Sequence, residues 1–243
     1  VSIRDMVIHE RESALVMGTH GRGIQIIDDI RPLRQLTTAT LTNEVTLLES
    51  KPAALRTPQW KSHSPGDNYF VAGNPSSSAG IAYFLKKRHM FGEMKIEIFT
   101  PEGELLKTLP GSKRKGLNFV RWSPRLKPPK VAPSPTLNPR ISFAGSVGPA
   151  APEGTYTYRL TKGKEVYEGT VDVGYDPDFP HPKKERALQL QTVSELYDML
   201  GRLAYVADAV TGLRDGAHDR ADQLAEGDGL AGLLDTFADE NDD

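Results

Sequence analysis

The chain has 243 residues and a formal net charge of -2, with 38% hydrophobic and 26% charged residues; this size admits one large domain or two small ones. It contains no cysteine, which excludes disulfides, thiolate nucleophiles and cysteine-based zinc sites. The near-neutral balance gives no chain-wide drive toward nucleic acid, and no apolar run approaches the length of a bilayer span.

The chain opens at Val1 directly in a strand-like pattern and closes on the acidic run Asp239-Glu240-Asn241-Asp242-Asp243, so both ends point to further flanking residues. Met6-Val7-Ile8, Ala14-Leu15-Val16-Met17 and Ile24-Gln25-Ile26-Ile27 read as three short strands. The turns His9-Glu10-Arg11-Glu12-Ser13 and Thr19-His20-Gly21-Arg22-Gly23 join them into an antiparallel meander. Three strands cannot bury both faces alone, so the meander needs neighbours. From Pro32 to Asn68 the text is a connector, broken by Pro52, Pro58, Pro65 and Gly66, with Val45-Thr46-Leu47-Leu48 as a candidate strand.

Residues 69–175 read as all-β. Met94, Ile96 and Ile98 alternate with Lys95 and Glu97, the period-2 signature of a half-buried strand. Further strands are expected at 81–85, 104–109, 118–122, 155–160 and 166–173, the last two joined by a Lys162-Gly163-Lys164 turn. Six or more such strands predict an antiparallel sandwich, interrupted by one long Pro-, Gly- and Ser-rich insertion from Ser123 to Glu153. After Asp176, Pro177, Pro180 and Pro182 form a stiff spacer. Val193, Leu196, Leu200, Leu203, Ala207 and Val210 then recur at near-heptad spacing, which predicts one amphipathic helix. Gly212 and Gly216 mark its expected stop, and a second, weaker helix is expected from Asp219 to Phe237.

The runs Asp5-Met6-Val7-Ile8-His9, Val16-Met17-Gly18-Thr19-His20-Gly21-Arg22-Gly23-Ile24, Asp28-Asp29-Ile30 and Pro32-Leu33 resemble the last repeat of BNR-repeat, sortilin-like β-propeller proteins, commonly labelled glycosyl-hydrolase-like. Gly116-Leu117-Asn118-Phe119-Val120-Arg121-Trp122 and Pro152-Glu153-Gly154-Thr155-Tyr156 look like the Ig-like sandwich that follows the propeller in that group, similar to those of bacterial secreted and flagellar-hook-cap proteins. The Asp-box of the usual repeat, Ser-x-Asp-x-Gly-x-x-Trp, is absent. The resemblance implies a mainly β chain with a helical tail: a terminal propeller-blade remnant over 1–41, a connector over 42–68, an Ig-like β-sandwich over 69–175, and a spacer with an amphipathic helix or helix pair over 176–243. It implies a non-catalytic interaction region of a larger secreted or periplasmic protein, partnered by the rest of the propeller and by a protein or glycan ligand, with no nucleic acid and no membrane span. Two alternatives stay open: the end of a glycoside hydrolase whose catalytic propeller lies elsewhere, and a stand-alone carbohydrate-binding or adhesion sandwich.

The residues themselves offer little chemistry. Gly18, Gly21 and Gly23 do not open a helix, as a phosphate-binding loop must, and read as turn glycines. His20 and Arg22, on the hairpin between the second and third strands, are the candidate binding residues; the competing reading has Arg22 pair with Asp28 or Asp29 and hold the turn. Adjacent strand residues point to opposite faces, so Asp28 and Asp29 cannot form a glycosidase pair; they and Asp5 read as turn caps or calcium ligands. The six histidines lack ligand spacing, so no metal or other cofactor is expected. Ser62-His63-Ser64 lies in the connector without a nucleophile elbow. Lys86-Lys87-Arg88 and Lys113-Arg114-Lys115 read as solvated hairpin ends. Of Tyr69, Phe70, Tyr83, Phe84, Phe99, Phe119, Trp122, Tyr156 and Tyr158, alternation puts several into the sandwich core, Trp122 foremost, in preference to a carbohydrate platform.

Overall fold

The computed structural model of the chain describes residues 2–56, 76–132, 143–176, 179–224 and 228–240. Its elements run β1 (Ile3–His9), β2 (Ala14–Thr19), β3 (Ile24–Ile27), the short helices α1 (Arg31–Arg34) and α2 (Thr38–Thr42), β4 (Val45–Leu48), β5 (Ala53–Leu55), β6 (Ala79–Leu85), β7 (Met94–Phe99), β8 (Leu105–Pro110), β9 (Gly116–Trp122), a short α3 (Phe143–Ser146), β10 (Gly154–Lys162), β11 (Glu165–Tyr175), and the helices α4 (Lys183–Ala221) and α5 (Gly229–Glu240). The protein is mainly β, in three sheets, with a C-terminal helical segment. It divides into two compact units, 1–124 with 150–180, and 125–149 with 181–243.

The first sheet is the meander β1-β2-β3. Its register sets Val7, Val16 and Ile26 in one cross-strand row and Ile8, Leu15 and Ile27 in the next. Neighbouring rows belong to opposite faces, so this sheet is apolar on both. Much of that surface is open: Met6 is 60% exposed on one face and Ile24 72% on the other.

The other two sheets of this unit are β5-β11-β10-β7-β8 and β4-β6-β9. Both strands of the former connector segment are used: β4 pairs antiparallel with β6, and β5 pairs parallel with β11. The alternation of β7 decides its orientation, with Met94, Ile96 and Ile98 buried. Leu160 and Tyr158 of β10 stand opposite Ile96 and Ile98 and continue that buried face. Ala79, Ile81, Tyr83 and Leu85 of β6 are fully buried, and Trp122 of β9 meets Tyr156 of β10 with ring centroids 5.1 Å apart. The Tyr83 hydroxyl donates to the Ser112 carbonyl at 2.7 Å, and Ser112 in turn donates to buried Asn118 at 2.6 Å. Burial pushes the hydroxyls of Tyr83, Tyr156 and Tyr158 up to about 12.

The insertion after β9 is closed at its base. The Ala151 amide donates to the Pro124 carbonyl at 3.0 Å. Inside the insertion, Leu126 donates to Pro149 at 2.9 Å and the Arg125 guanidinium to the Gly148 carbonyl at 2.9 Å.

In the second unit α4 runs for 39 residues, about 58 Å. Gly212 and Gly216, expected to stop it, lie inside it. Two glycines cost a helix roughly 1 kcal/mol each, less than the packing of its last turns supplies. There α5 lies against α4, with Ala217, Ala221 and Ala238 buried and His218 3.5 Å from Asp235. The second helix accordingly starts at Gly229, where Asp228 accepts from the Leu230 amide at 2.9 Å. The expected single apolar stripe is divided: Val193, Leu200 and Ala207 are partly covered, while Leu196, Leu203 and Val210 are exposed. Among the described residues no helix is long and apolar enough to cross a membrane.

Candidate functional site

The β2–β3 hairpin places His20 and Arg22 at its tip, both exposed. The turn is made by backbone conformation: Gly21 and Gly23 sit at φ +83° and +65°, a region closed to most side chains. Thr19 holds the turn, donating to the Gly23 carbonyl from its amide at 3.0 Å and from its hydroxyl at 2.7 Å. Arg22 therefore does not brace the turn against Asp28 or Asp29; the whole of β3, about 13 Å of strand, separates them.

Asp29 is a structural anchor instead. Its carboxylate accepts from the Arg31 amide at 3.0 Å and the Lys51 amide at 2.5 Å, and the Arg31 guanidinium lies 3.5 Å away. This ties the end of the meander to the start of β5. The Lys51 ammonium reaches back to Glu12 in the β1–β2 turn, and Arg11 contacts the same carboxylate at 3.1 Å. Burial, followed by the neighbouring Arg56 and Arg11 guanidiniums, holds the Lys51 ammonium below its usual range, with Asp176 opposing them.

Over these ties lies a cleft of about 400 Å³, at the end of the meander opposite His20 and Arg22. Its apolar wall is Phe119 of β9, 45% exposed. The tip of the ring sits against Gly80 of β6: a Cβ there would stand 2.1 Å from it. Arg121, two residues along β9, and Arg56 at the end of β5 line the same cleft and carry no carboxylate partner among the described residues. The cleft thus offers one aromatic face, cationic donors and carboxylate acceptors together. It has the volume of a small-molecule pocket but a mostly charged lining, in which Glu12 and Asp29 are held by Lys51 and Arg31.

The sequence pattern pointed to His20 and Arg22 and passed over Phe119, Arg121 and Lys51. One signal was available. Phe119 and Trp122 are three residues apart in one strand, so alternation sends them to opposite faces; with Trp122 in the core, Phe119 must look outward. Tyr69, Phe70 and Ser62-His63-Ser64 lie outside the described residues. Among the described residues, no group of three or more acidic or histidine side chains is placed to hold a metal ion. No family model, curated protein or solved structure matches this chain.

Proposed function

We propose that the chain is a non-catalytic interaction region of a larger exported BNR-repeat, sortilin-like propeller protein, with residues 1–41 forming its last blade and the two further sheets an Ig-like sandwich. The observation that carries this reading is the meander apolar on both faces. A sheet in a two-layer sandwich keeps one wet face. A propeller blade is covered on both faces by its neighbours, and needs the composition found in Val7, Val16, Ile24 and Ile26 on one side and Met6, Ile8, Leu15 and Ile27 on the other.

The test extends the chain through the coding sequence upstream of Val1 and follows oxidation of Met6 by peroxide. In the chain alone Met6 is 60% exposed and should oxidise at the rate of a free methionine. In the longer protein it should be protected. Equal rates in the two would remove the propeller reading.

A second reading, a carbohydrate-binding module, is favoured by the cleft beside Phe119. A sugar presents an apolar C–H face and a polar rim, which matches an open ring flanked by donors and acceptors. An array of neutral oligosaccharides probed with the whole chain, alongside Phe119→Ala, decides it: loss of a saturable signal in the variant supports the module, and an empty array refutes it.

A further inference from the structure

We propose that the β6–β7 loop is a peripheral membrane-docking tip that binds anionic lipid bilayers. The loop carries two adjacent large apolar side chains in the open, Met90 at 62% and Phe91 at 85% exposure. Phe91 is the most exposed of the large hydrophobic residues described. Adjacent in the chain, the two form one exposed apolar patch, the kind of feature that marks an interaction site.

The tip is ringed by cations from three separate stretches of chain. Lys86-Lys87-Arg88 leads into it from β6. Lys113-Arg114-Lys115 precedes β9, and the pairing of Leu85 with Gly116 brings this run alongside the first. The loop is fastened there directly: the His89 amide donates to the Lys113 carbonyl at 3.0 Å, and the Lys113 ammonium donates to the Gly92 carbonyl at 2.8 Å. The β10–β11 turn supplies the third contribution. Gly163 donates to the Glu93 carbonyl at 2.9 Å, setting exposed Lys164 beside the loop. All six residues of the two basic runs are exposed, and none pairs with a carboxylate among the described residues. Of the acidic neighbours, Glu93 and Glu165 are engaged by Lys95 at 4.0 Å and Lys162 at 3.0 Å, and exposed Glu44 lies beside Lys86, whose amide donates to its carbonyl at 3.1 Å.

A chain with net charge -2 therefore concentrates positive charge at one end, around an apolar wedge. Those are the two signals that reversible membrane attachment requires: basic side chains to hold the anionic headgroups, and apolar side chains to enter the acyl boundary. A nucleic acid or an acidic polysaccharide would use the cations and leave Met90 and Phe91 idle, so charge complementarity together with the wedge favours the bilayer. The inference is independent of the propeller reading.

The experiment is co-sedimentation of the whole chain with vesicles of phosphatidylcholine alone and with vesicles of phosphatidylcholine and phosphatidylglycerol in a two-to-one ratio. Binding is expected to the second only and should weaken as salt is raised, since the attraction is screened over about a Debye length of 8–10 Å. Phe91→Ser and Met90→Ser should each weaken partitioning on the order of tenfold through lost apolar burial. Both residues stand clear of the core, so the variants should keep the native circular dichroism; a Lys87→Glu, Lys115→Glu pair tests the charge separately and should abolish binding to the anionic vesicles. Binding to neither vesicle, or equally to both, overturns the proposal. So does salt-sensitive binding that Phe91→Ser and Met90→Ser leave unchanged, which would mark the patch as a footprint for a soluble polyanion.

Discussion

Trp122 and Tyr156 meet with their ring planes tilted at 59° and their centroids 5.1 Å apart, one ring from the three-stranded sheet and the other from the five-stranded. Both are buried, and the Tyr156 hydroxyl donates to the Pro152 carbonyl at 2.9 Å. Trp122→Ala should therefore cost about 3–5 kcal/mol, the range for removing a large buried aromatic. Tyr156→Phe keeps the ring contact and loses one hydrogen bond, about 1 kcal/mol. Urea unfolding of the two variants checks the order; equal losses would mean that the ring pair contributes no more than the single hydrogen bond of the hydroxyl.

Alkaline pH should unfold the same core. The hydroxyls of Tyr83, Tyr156 and Tyr158 ordinarily titrate at 10.0 and are raised by burial to about 12 in the folded chain. The folded state thus holds these protons more tightly than the unfolded state. The stability they contribute is complete below pH 10 and is lost as pH rises from 10 toward 12. Tyrosinate absorbance should rise in two stages, exposed tyrosines first and the buried three together with loss of circular dichroism. A single smooth rise near the ordinary value with native dichroism retained would show these rings to be solvent-accessible.

Amide exchange should separate the meander from the rest of the β structure. Strands β1 and β3 are exposed along their whole length, while Ile96, Ile98 and Leu160 are fully buried. Local opening should be easy in the first group and approach global unfolding in the second. Comparable protection in both groups would show that the meander is held by packing as strong as that of the core.

The long helix gives a fourth expectation. A Cβ at Gly212 or Gly216 would meet nothing within 4 Å, so alanine at either should raise helix stability by about 0.5–1 kcal/mol. About two turns before Gly212, the neighbours Leu203 and Ala204 should differ sharply. Leu203 is 58% exposed and Ala204 not at all. Leu203→Asp should leave the helical dichroism intact, and Ala204→Asp, burying a charge, should diminish it. A loss in the first variant would place a partner over the exposed stripe.

Much of the β structure was legible because one residue period determines it. The alternation of Met94, Ile96 and Ile98 fixed β7, and Gly163, at φ +62°, closes the β10–β11 hairpin where Lys162-Gly163-Lys164 predicted a turn. What escaped depends on residues far apart in the chain. Ala53–Leu55 is too short to announce itself, and becomes a strand because β11 lies parallel beside it. Gly212 and Gly216 weigh against helix locally and are outweighed by contacts with α5. The cleft was hidden for the same reason, since Glu12, Lys51 and Phe119 meet only once three sheets are in place. The basic runs were visible as runs, but not that the pairing of β6 with β9 sets them side by side.

The hydrogen bond between the Ala151 amide and the Pro124 carbonyl makes the long insertion a parenthesis in the polypeptide. The chain leaves β9 and re-enters on the way to β10 at what is, in space, one point. Lengthening such a closed excursion raises its closure entropy only slowly, by about 0.6 kcal/mol per doubling. Change between these two points re-registers neither flanking strand, although the insertion also packs with the helical unit, where Lys130 pairs with Asp208 of α4. For a protein engineer the closed base lets a peptide be grafted into the insertion while β9 and β10 keep their pairing partners.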